Sequence, residues 1–464
     1  AASNHPALVA VSPQAPVTNW FVGDDFHHNG AFFQLDAFSF YSALGGGFGV
    51  PHPKPISVAP PPVPFPNYDS YQFFLETGSL KNLTRYMGDS IAFWKDLMTH
   101  PNYDAFWKAR DARNATKNLQ PAMLWVGGLF DAEDTWGAFN AYKAAEKNNP
   151  GKSFNKLVEG PWYHVQWANE DGTHHGNIQF GSNTSTYYQE NFEVPFFNYF
   201  LKGKGDISKI REANIFFTGA NAWRNFDQWP PANPASTTMY LQPGGALSTN
   251  KPAGTAFTAY TSDPAKPVPY DEEVHFGRTR KYMTNDQRFA ARRPDVLVFQ
   301  TDILEQDITV AGPIIADLKA SISTTDADFV VKIIDVFPND MGHNVLNIYA
   351  NEDQVFPYPM GGYQMLVRGE IMRGRFRNSL EKPVPFTPGK VETVKYELPD
   401  IAHTFKKGHR LMVQIQSSWF PLVDRNPQQF VDIYHCDDKD FIKSDIKIFH
   451  SAEQSSAIIL PVIR

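Results

Sequence analysis

The stretch Met123–Asn140, MLWVGGLFDAEDTWGAFN, constrains the fold more than any other part of the chain. The apolar run Met123-Leu124-Trp125-Val126 has the length and content of a buried strand. Gly127-Gly128 ends it, and Asp131, Glu133 and Asp134 follow before a helix predicted to start near Thr135. Strand, tight turn and helix form the repeating unit of an open α/β sheet. In such sheets ligands and reactive groups collect beyond the carboxyl ends of the strands. Three carboxylates within four residues repel one another. Either a positive group lies nearby or a carboxyl pKa is raised.

A second stretch, Lys156-Leu157-Val158-Glu159-Gly160-Pro161-Trp162-Tyr163-His164, repeats the plan with a Gly-Pro break and a histidine. An acid after one strand and a histidine after the next is the tail of a Ser…Asp…His order. The histidine would take the proton from a nucleophile, and the aspartate would hold its tautomer and orientation.

With 464 residues the chain is too long for one ordinary core and predicts two or three domains. The net charge is −7 and no basic run stands out, which argues against a nucleic-acid partner. No apolar stretch approaches the roughly 20 residues that span a bilayer, so no membrane partner is expected. The single cysteine, Cys436, excludes an internal disulfide and a cysteine zinc site. Nothing in Tyr434-His435-Cys436-Asp437-Asp438 except His435 would favour a thiolate, so an inert apolar role is expected. The opening Ala-Ala-Ser-Asn-His-Pro has neither a basic region nor an apolar core and is not a signal peptide. It looks like a helix end running into a strand, as if earlier elements of the domain were missing.

Ala7–Val11 predicts a buried strand, and Asn19–Gly30 a polar, aromatic loop at the rim of a site. Phe32–Tyr41, Tyr71–Gly78, Leu80–Tyr86, Ile91–Met98 and Tyr103–Lys108 predict helices, interrupted by Gly45-Gly46-Gly47 and the proline run Pro51–Pro66. Inserted between two sheet strands, this region is most economically a helical cap. The proline run is an ordered surface loop or, less economically, a ligand for a proline-recognition module. Thr135–Glu146 and Ser185–Leu201 predict helices, and Ala213–Thr218 the last strand of the α/β unit. After about Pro230 helices nearly vanish. Strands are predicted at Thr238–Leu241, Val296–Thr301, Ile308–Ala311, Ile314–Ser323, Phe329–Phe337, Tyr363–Gly369, Glu392–Glu397, His409–Ser417 and Ile458–Val462. Many short strands between turn residues imply a sandwich or jelly roll.

Gly-Leu-Phe-Asp-Ala-Glu-Asp-Thr-Trp-Gly (128–137), Gly-Pro-Trp-Tyr-His (160–164) and Val-Gly-Asp-Asp-Phe-His-His-Asn-Gly-Ala-Phe (22–32) resemble the α-amino acid ester hydrolases. These lie within the cocaine-esterase and X-Pro dipeptidyl-peptidase family. The resemblance covers nearly the whole chain. It implies part of an α/β-hydrolase domain over 1–35, a helical cap over 36–118, the rest of the hydrolase domain over 119–232 and a β jelly roll over 233–464. It also implies that Asp131 is the triad acid and His164 the general base. Asp25, Glu133 and Asp134 would bind the substrate's α-ammonium, which would then be the missing positive charge. The family's nucleophile sits in a Gly-x-Ser-Tyr-x-Gly elbow, and this chain has no Gly-x-Ser-x-Gly. Gly88-Asp89-Ser90-Ile91-Ala92 fails at the last glycine. The elbow comes shortly before a segment matched here by His5-Pro6-Ala7-Leu8, so the serine, the oxyanion-hole amide and an assisting tyrosine are expected upstream of Ala1. The 464 residues alone are then expected to lack covalent catalysis, with an upstream fragment as partner.

Bland roles stand beside these. Asp131 could cap a helix start, Glu133 and Asp134 could answer a helix dipole, and a lone histidine after a strand is often structural. His27-His28 and His174-His175 lack the spacing of a metal motif, so neither a metal nor another cofactor is expected. The leading expectation is a serine hydrolase and acyltransferase for α-amino acid esters, extending to β-lactam amides. Alternatives are a glutaryl-cephalosporin acylase, a plain carboxylesterase or an X-Pro peptidase of the same family. A non-catalytic module, for instance one that binds carbohydrate, is a further one. An anionic glutaryl group would sit badly against three carboxylates. By family analogy alone the protein would be periplasmic or secreted, with a homo-oligomer as one expected state.

Overall fold

The computed structural model describes residues 5–44, 69–87, 91–151, 154–341, 343–344 and 358–464. The glycine triplet Gly45-Gly46-Gly47, the proline run Pro51–Pro66 and Gly88-Asp89-Ser90 lie outside these residues.

In chain order the first half places β1 (Ala10–Val11), α1 (Gln34–Leu44), α2 (Ser70–Thr77), α3 (Ala92–Thr99), β2 (Ala122–Gly128), α4 (Thr135–Asn148), β3 (Asn155–Gly160), α5 (Val194–Lys202), β4 (Ala213–Phe217) and β5 (Ala222–Phe226). The five strands form one sheet in the order β1-β2-β3-β4-β5. The first three junctions are parallel and the last is antiparallel. A parallel sheet is covered on both faces, so its strands read as continuous apolar runs. All seven residues of β2 are buried. Met123, Trp125 and Leu157 pack on one face against Phe139 and Tyr142 of α4. Leu124, Val126 and Val158 pack on the other against Trp162, Trp167 and Phe196. Pro150-Gly151 follows α4, as a helix stop should. The helices between β1 and β2 are joined by aromatic packing, with Phe38 against Phe73, Phe74 and Trp94.

Three local expectations are corrected. Asn19–Gly30 is not a simple loop: Gly23–Asp24, His27–His28 and Ala31–Phe32 form a small antiparallel sheet. Two-residue strands are too short for an alternation to register. Ala213–Thr218 does not end the sheet, because β5 turns back along it. The helix after Ser185 is not uniform. Thr184–Tyr188 is α-helical, Gln189–Glu193 a π turn, and α5 then follows. Pro195, in the first turn of α5, has no N–H to continue a regular ladder.

The second half contains β6 (Ala235–Leu241), β7 (Phe257–Ser262), β8 (Leu297–Gln300), β9 (Ile308–Ile322), β10 (Asp328–Val336), β11 (Gln364–Arg373), β12 (Glu392–Phe405), β13 (Arg410–Gln416), β14 (Ser444–Phe449) and β15 (Ala457–Ile463). One antiparallel sheet runs β6-β15-β9-β14-β7, with β12 also on β9. The other runs β8-β13-β10-β11. Ile314, Ala316 and Leu318 of β9 alternate inward and share one core with Val331, Ile333, Val394, Val413 and Ile415. The result is a jelly roll. Ile308–Ala311 and Ile314–Ser323 are one strand rather than two. The ladder only slips between Gly312 and Ile314, where Pro313 cannot donate. The strands β7 and β14 are additions, since their alternating exposure hides them from an apolar-run search.

The halves are stitched together. The Thr218 N–H donates to the Ala402 carbonyl (3.1 Å), and the Thr404 N–H donates to the Thr218 carbonyl (2.9 Å). Ala311 and Ala402 of the jelly roll pack in one cluster with Trp125, Phe139 and Trp229.

Candidate active site

Asp131 leaves the carboxyl end of β2, and its carboxylate is used twice. Oδ1 accepts the backbone N–H groups of Glu133 (2.9 Å) and Asp134 (3.1 Å), which fixes the turn into α4. Oδ2 faces Nδ1 of His164 at 3.0 Å. One side chain therefore both holds the turn before α4 and faces the histidine. The Gly128 position presses on the next turn: a Cβ there would lie 2.3 Å from the Trp162 carbonyl oxygen. Trp162 is buried, its indole N–H donating to Thr184 Oγ1 at 2.9 Å. The residue after His164, Val165, has φ 59°, a conformation that a β-branched residue rarely adopts. A fixed turn before His164 and a strained one after it hold the imidazole at the sheet's carboxyl edge. The ring is 29% exposed, whereas Asp131 is sealed. Burial works against protonation of His164. The Asp131 hydrogen bond and charge, with Glu133 and Asp25, nevertheless hold its pKa above the usual value.

Asp25, Glu133 and Asp134 come together from two segments, with carboxylate oxygens within 4.8 Å of one another. Asp25 sits at φ 49°, its N–H on the Glu133 carbonyl (3.2 Å) and its Oδ2 on the Trp20 indole N–H (2.8 Å). Asp134 Oδ1 has no hydrogen-bond partner among the described residues. Asp134 Oδ2 lies 3.4 Å from His164 Nδ1. Asp131, Asp134 and His164 are a second group at the same spacing. Each trio offers a cation, organic or metallic, a converging donor set.

The charge problem has two solutions at once. Burial, joined by the charges of Glu133, Asp36 and Asp131 and opposed by the Trp20 bond, pushes Asp25 up to about 7. Burial pushes Asp24 up to about 8, although Oδ2 accepts two backbone N–H groups. Burial and the charges of Asp25 and Asp131 carry Asp134 well above the carboxylate range. The positive group is Arg278, from the segment between β7 and β8. Its Nε donates to Asp36 (2.5 Å) and its guanidinium grips Glu133. The short-range pattern around Asp131 carries no trace of Arg278, Asp36 or Trp20, because they arrive from remote segments.

Three of the four paired histidines are held by other contacts. His27 spans the Trp20 carbonyl and the Tyr434 hydroxyl, and His28 meets Glu370 at 3.0 Å. His175 stacks on Phe130, ring centres 5.5 Å apart. Cys436 is buried, and burial first, then nearby acids, push its thiol up to about 11.

A parallel sheet presenting an acid after one strand and a histidine after the next, followed by a jelly roll, defines an α/β-hydrolase chain. The model of the X-Pro dipeptidyl-peptidase (S15 family) matches residues 1–166. That of the X-Pro dipeptidyl-peptidase C-terminal non-catalytic domain matches residues 198–458. The chain belongs to the X-Pro dipeptidyl-peptidase family. It is 28% identical over 385 residues to a cocaine esterase of Rhodococcus sp. (strain MB1 Bresler), covering 79% of this chain and 61% of that protein. The chain thus spans less than two thirds of that relative's length. An aminopeptidase from a marine sediment archaeon, Thaumarchaeota archaeon, superposes with a TM-score of 0.90 at 36% identity, over 99% of this chain and 73% of its own. An α-amino acid ester hydrolase superposes with a TM-score of 0.88 at 36% identity and the same coverage.

Proposed function

We propose that this chain carries the acid, the base and the ammonium site of a serine hydrolase for α-amino acid esters and amides. The observation that carries the reading is the convergence of Asp25, Glu133 and Asp134 oxygens within 4.8 Å, beside the Asp131–His164 pair. With Nδ1 donating to Asp131, the neutral imidazole presents Nε2 as a base. It would take the proton of an attacking serine hydroxyl and return it to the leaving group. The serine attacks the carbonyl, the alcohol or amine leaves, and water or an amine then resolves the acyl-enzyme. An amine acceptor, such as a β-lactam nucleus, makes the same chemistry acyl transfer. The reading requires the nucleophile on another segment. Among the described residues no serine hydroxyl hydrogen-bonds to His164, and the sequence has no Gly-x-Ser-x-Gly.

A free α-ammonium would sit where Asp134 Oδ1 is unpaired and would draw the protons from Asp25 and Asp134. The two 36%-identical neighbours, an aminopeptidase and an α-amino acid ester hydrolase, support a substrate with a free amino group. They leave ester and peptide bonds on equal terms. The same carboxylates disfavour a glutaryl substrate. The test is a substrate panel: an amino acid ester, the matching amide and dipeptide, and the des-amino ester. Glu133→Gln and Asp134→Asn are expected to weaken amino substrates by about 2–5 kcal/mol in kcat/KM and to spare the des-amino ester. Equal losses on both would sink the ammonium role.

A further inference from the structure

A second cavity, of about 460 Å³, lies apart from these carboxylates, where the hairpin 174–179 and the turn after β4 meet one end of the four-stranded sheet. That volume is in the range of small-molecule sites. Its apolar wall is Ile178, Phe337 and three thioethers, Met341, Met360 and Met365. Methionines adapt their shape and make favourable sulfur–ring contacts. Its polar wall holds Asn177, Gln179, Asn221, Lys406 and a fixed relay. Asp335 Oδ2 meets His403 Nε2 (3.1 Å), whose Nδ1 meets the Thr218 hydroxyl (2.7 Å). Asp335 Oδ1 meets His409 Nδ1 (2.8 Å). Burial raises the Asp335 pKa, but these two imidazoles hold it below the usual range. As the carboxylate is ionised, His409 donates from Nδ1, which leaves Nε2 as an acceptor in the neutral ring. Among the described residues Nε2 has no partner.

We propose that this cavity binds a small neutral aromatic alcohol. The ring would lie among the thioethers and Phe337, and the hydroxyl would donate to His409 Nε2. Neutrality follows because both charged groups on the lining already have partners, Asp335 in His403 and His409 and Lys406 in Asp307. None of Asp25, Asp131, Glu133, Asp134 and His164 lines the cavity, so the proposal stands independently of the function proposed above. The hairpin nonetheless touches the active-site turn from behind, through His175 on Phe130.

The test is phenol titrated into the intact protein carrying ¹³C-methyl methionine. Of the ten methionines, the methyls of Met341, Met360 and Met365 are expected to shift together and saturate with one Kd. Met360→Trp, which fills the cavity, abolishes the shifts. Should that variant fail to fold, Met341→Trp at the half-open rim gives the same result. His409→Ala weakens phenol by up to about tenfold and leaves benzene unchanged. Benzoate binds more weakly than phenol. Shifts spread over other methionines, no saturation at millimolar phenol, insensitivity to both tryptophan variants or a preference for benzoate would each overturn the proposal.

Discussion

At the residue scale the site is governed by how few of its charges are free. Asp131 is committed on both oxygens, and that commitment can be measured. In the active hydrolase Asp131→Asn keeps the turn bonds at Oδ1 but mis-sets the His164 tautomer. The expected loss is about 10⁴-fold in kcat with little change in KM, read by steady-state kinetics. As the proposed base, His164 works only when neutral. Its raised pKa places the acid limb of the activity profile above its ordinary value of 6.5, as a pH–rate profile would show. The carboxylates give the opposite of the usual acid lability. Asp24 and Asp25 hold protons in the fold up to about 8 and about 7, whereas the unfolded chain releases them near 3.8. Their stabilisation is complete below that value and is lost as pH rises through 7 to 8. Asp24→Asn is therefore expected to flatten the fall in stability between about pH 5 and about pH 9, measured by urea unfolding at both. An unchanged slope would mean that Asp24 is ionised in the fold.

At the element scale the positioning devices are turns rather than long helices. Gly127-Gly128 lets β2 approach its neighbours closely. A Cβ on Gly127 would sit 2.6 Å from both the Ala138 Cβ and a Glu159 oxygen. A Cβ on Gly128 would meet backbone, which cannot rotate away as a side chain can. Gly128→Ala is expected to cost about 1–3 kcal/mol and to displace the Gly160–His164 turn. Urea unfolding reads the first, and the loss of the proposed activity reads the second. The strands β2 and β3 and the helix α4 were legible because each buries a continuous or periodic apolar face. The three-stranded ribbon around Asp24 and His27 was not. Its strands are two residues long, and its stability comes from Asn19, Asp24 and the Glu133 carbonyl rather than from a pattern.

At the scale of the whole molecule, Arg278 joins three parts. Rooted in the jelly-roll half, it holds Asp36 of α1 and Glu133 of the β2–α4 turn. Its side chain is 11% exposed and that of Asp36 12%. Removing one partner of so buried a network strands the others, so Arg278→Met is expected to cost about 3–5 kcal/mol in unfolding free energy. The helices between β1 and β2 should then be cleaved earlier than the jelly roll in limited proteolysis. Uniform protection would mean that Arg278 does not tie these helices down.

The sequence by itself determined the strands β2 and β3, the turns after them and therefore which acid and which histidine stand beyond their ends. Strand periodicity and Gly-Pro breaks are local, and the acid and histidine follow their strands by three and four residues. It also determined that a crowd of carboxylates needed an answer. Which answer each carboxylate receives was decided only by tertiary structure. Burial raises the pKa of Asp24, Asp25 and Asp134, and a guanidinium 145 positions from Glu133 pairs with that side chain. Burial and long-range pairing are properties of the packed chain, and no window of residues contains them.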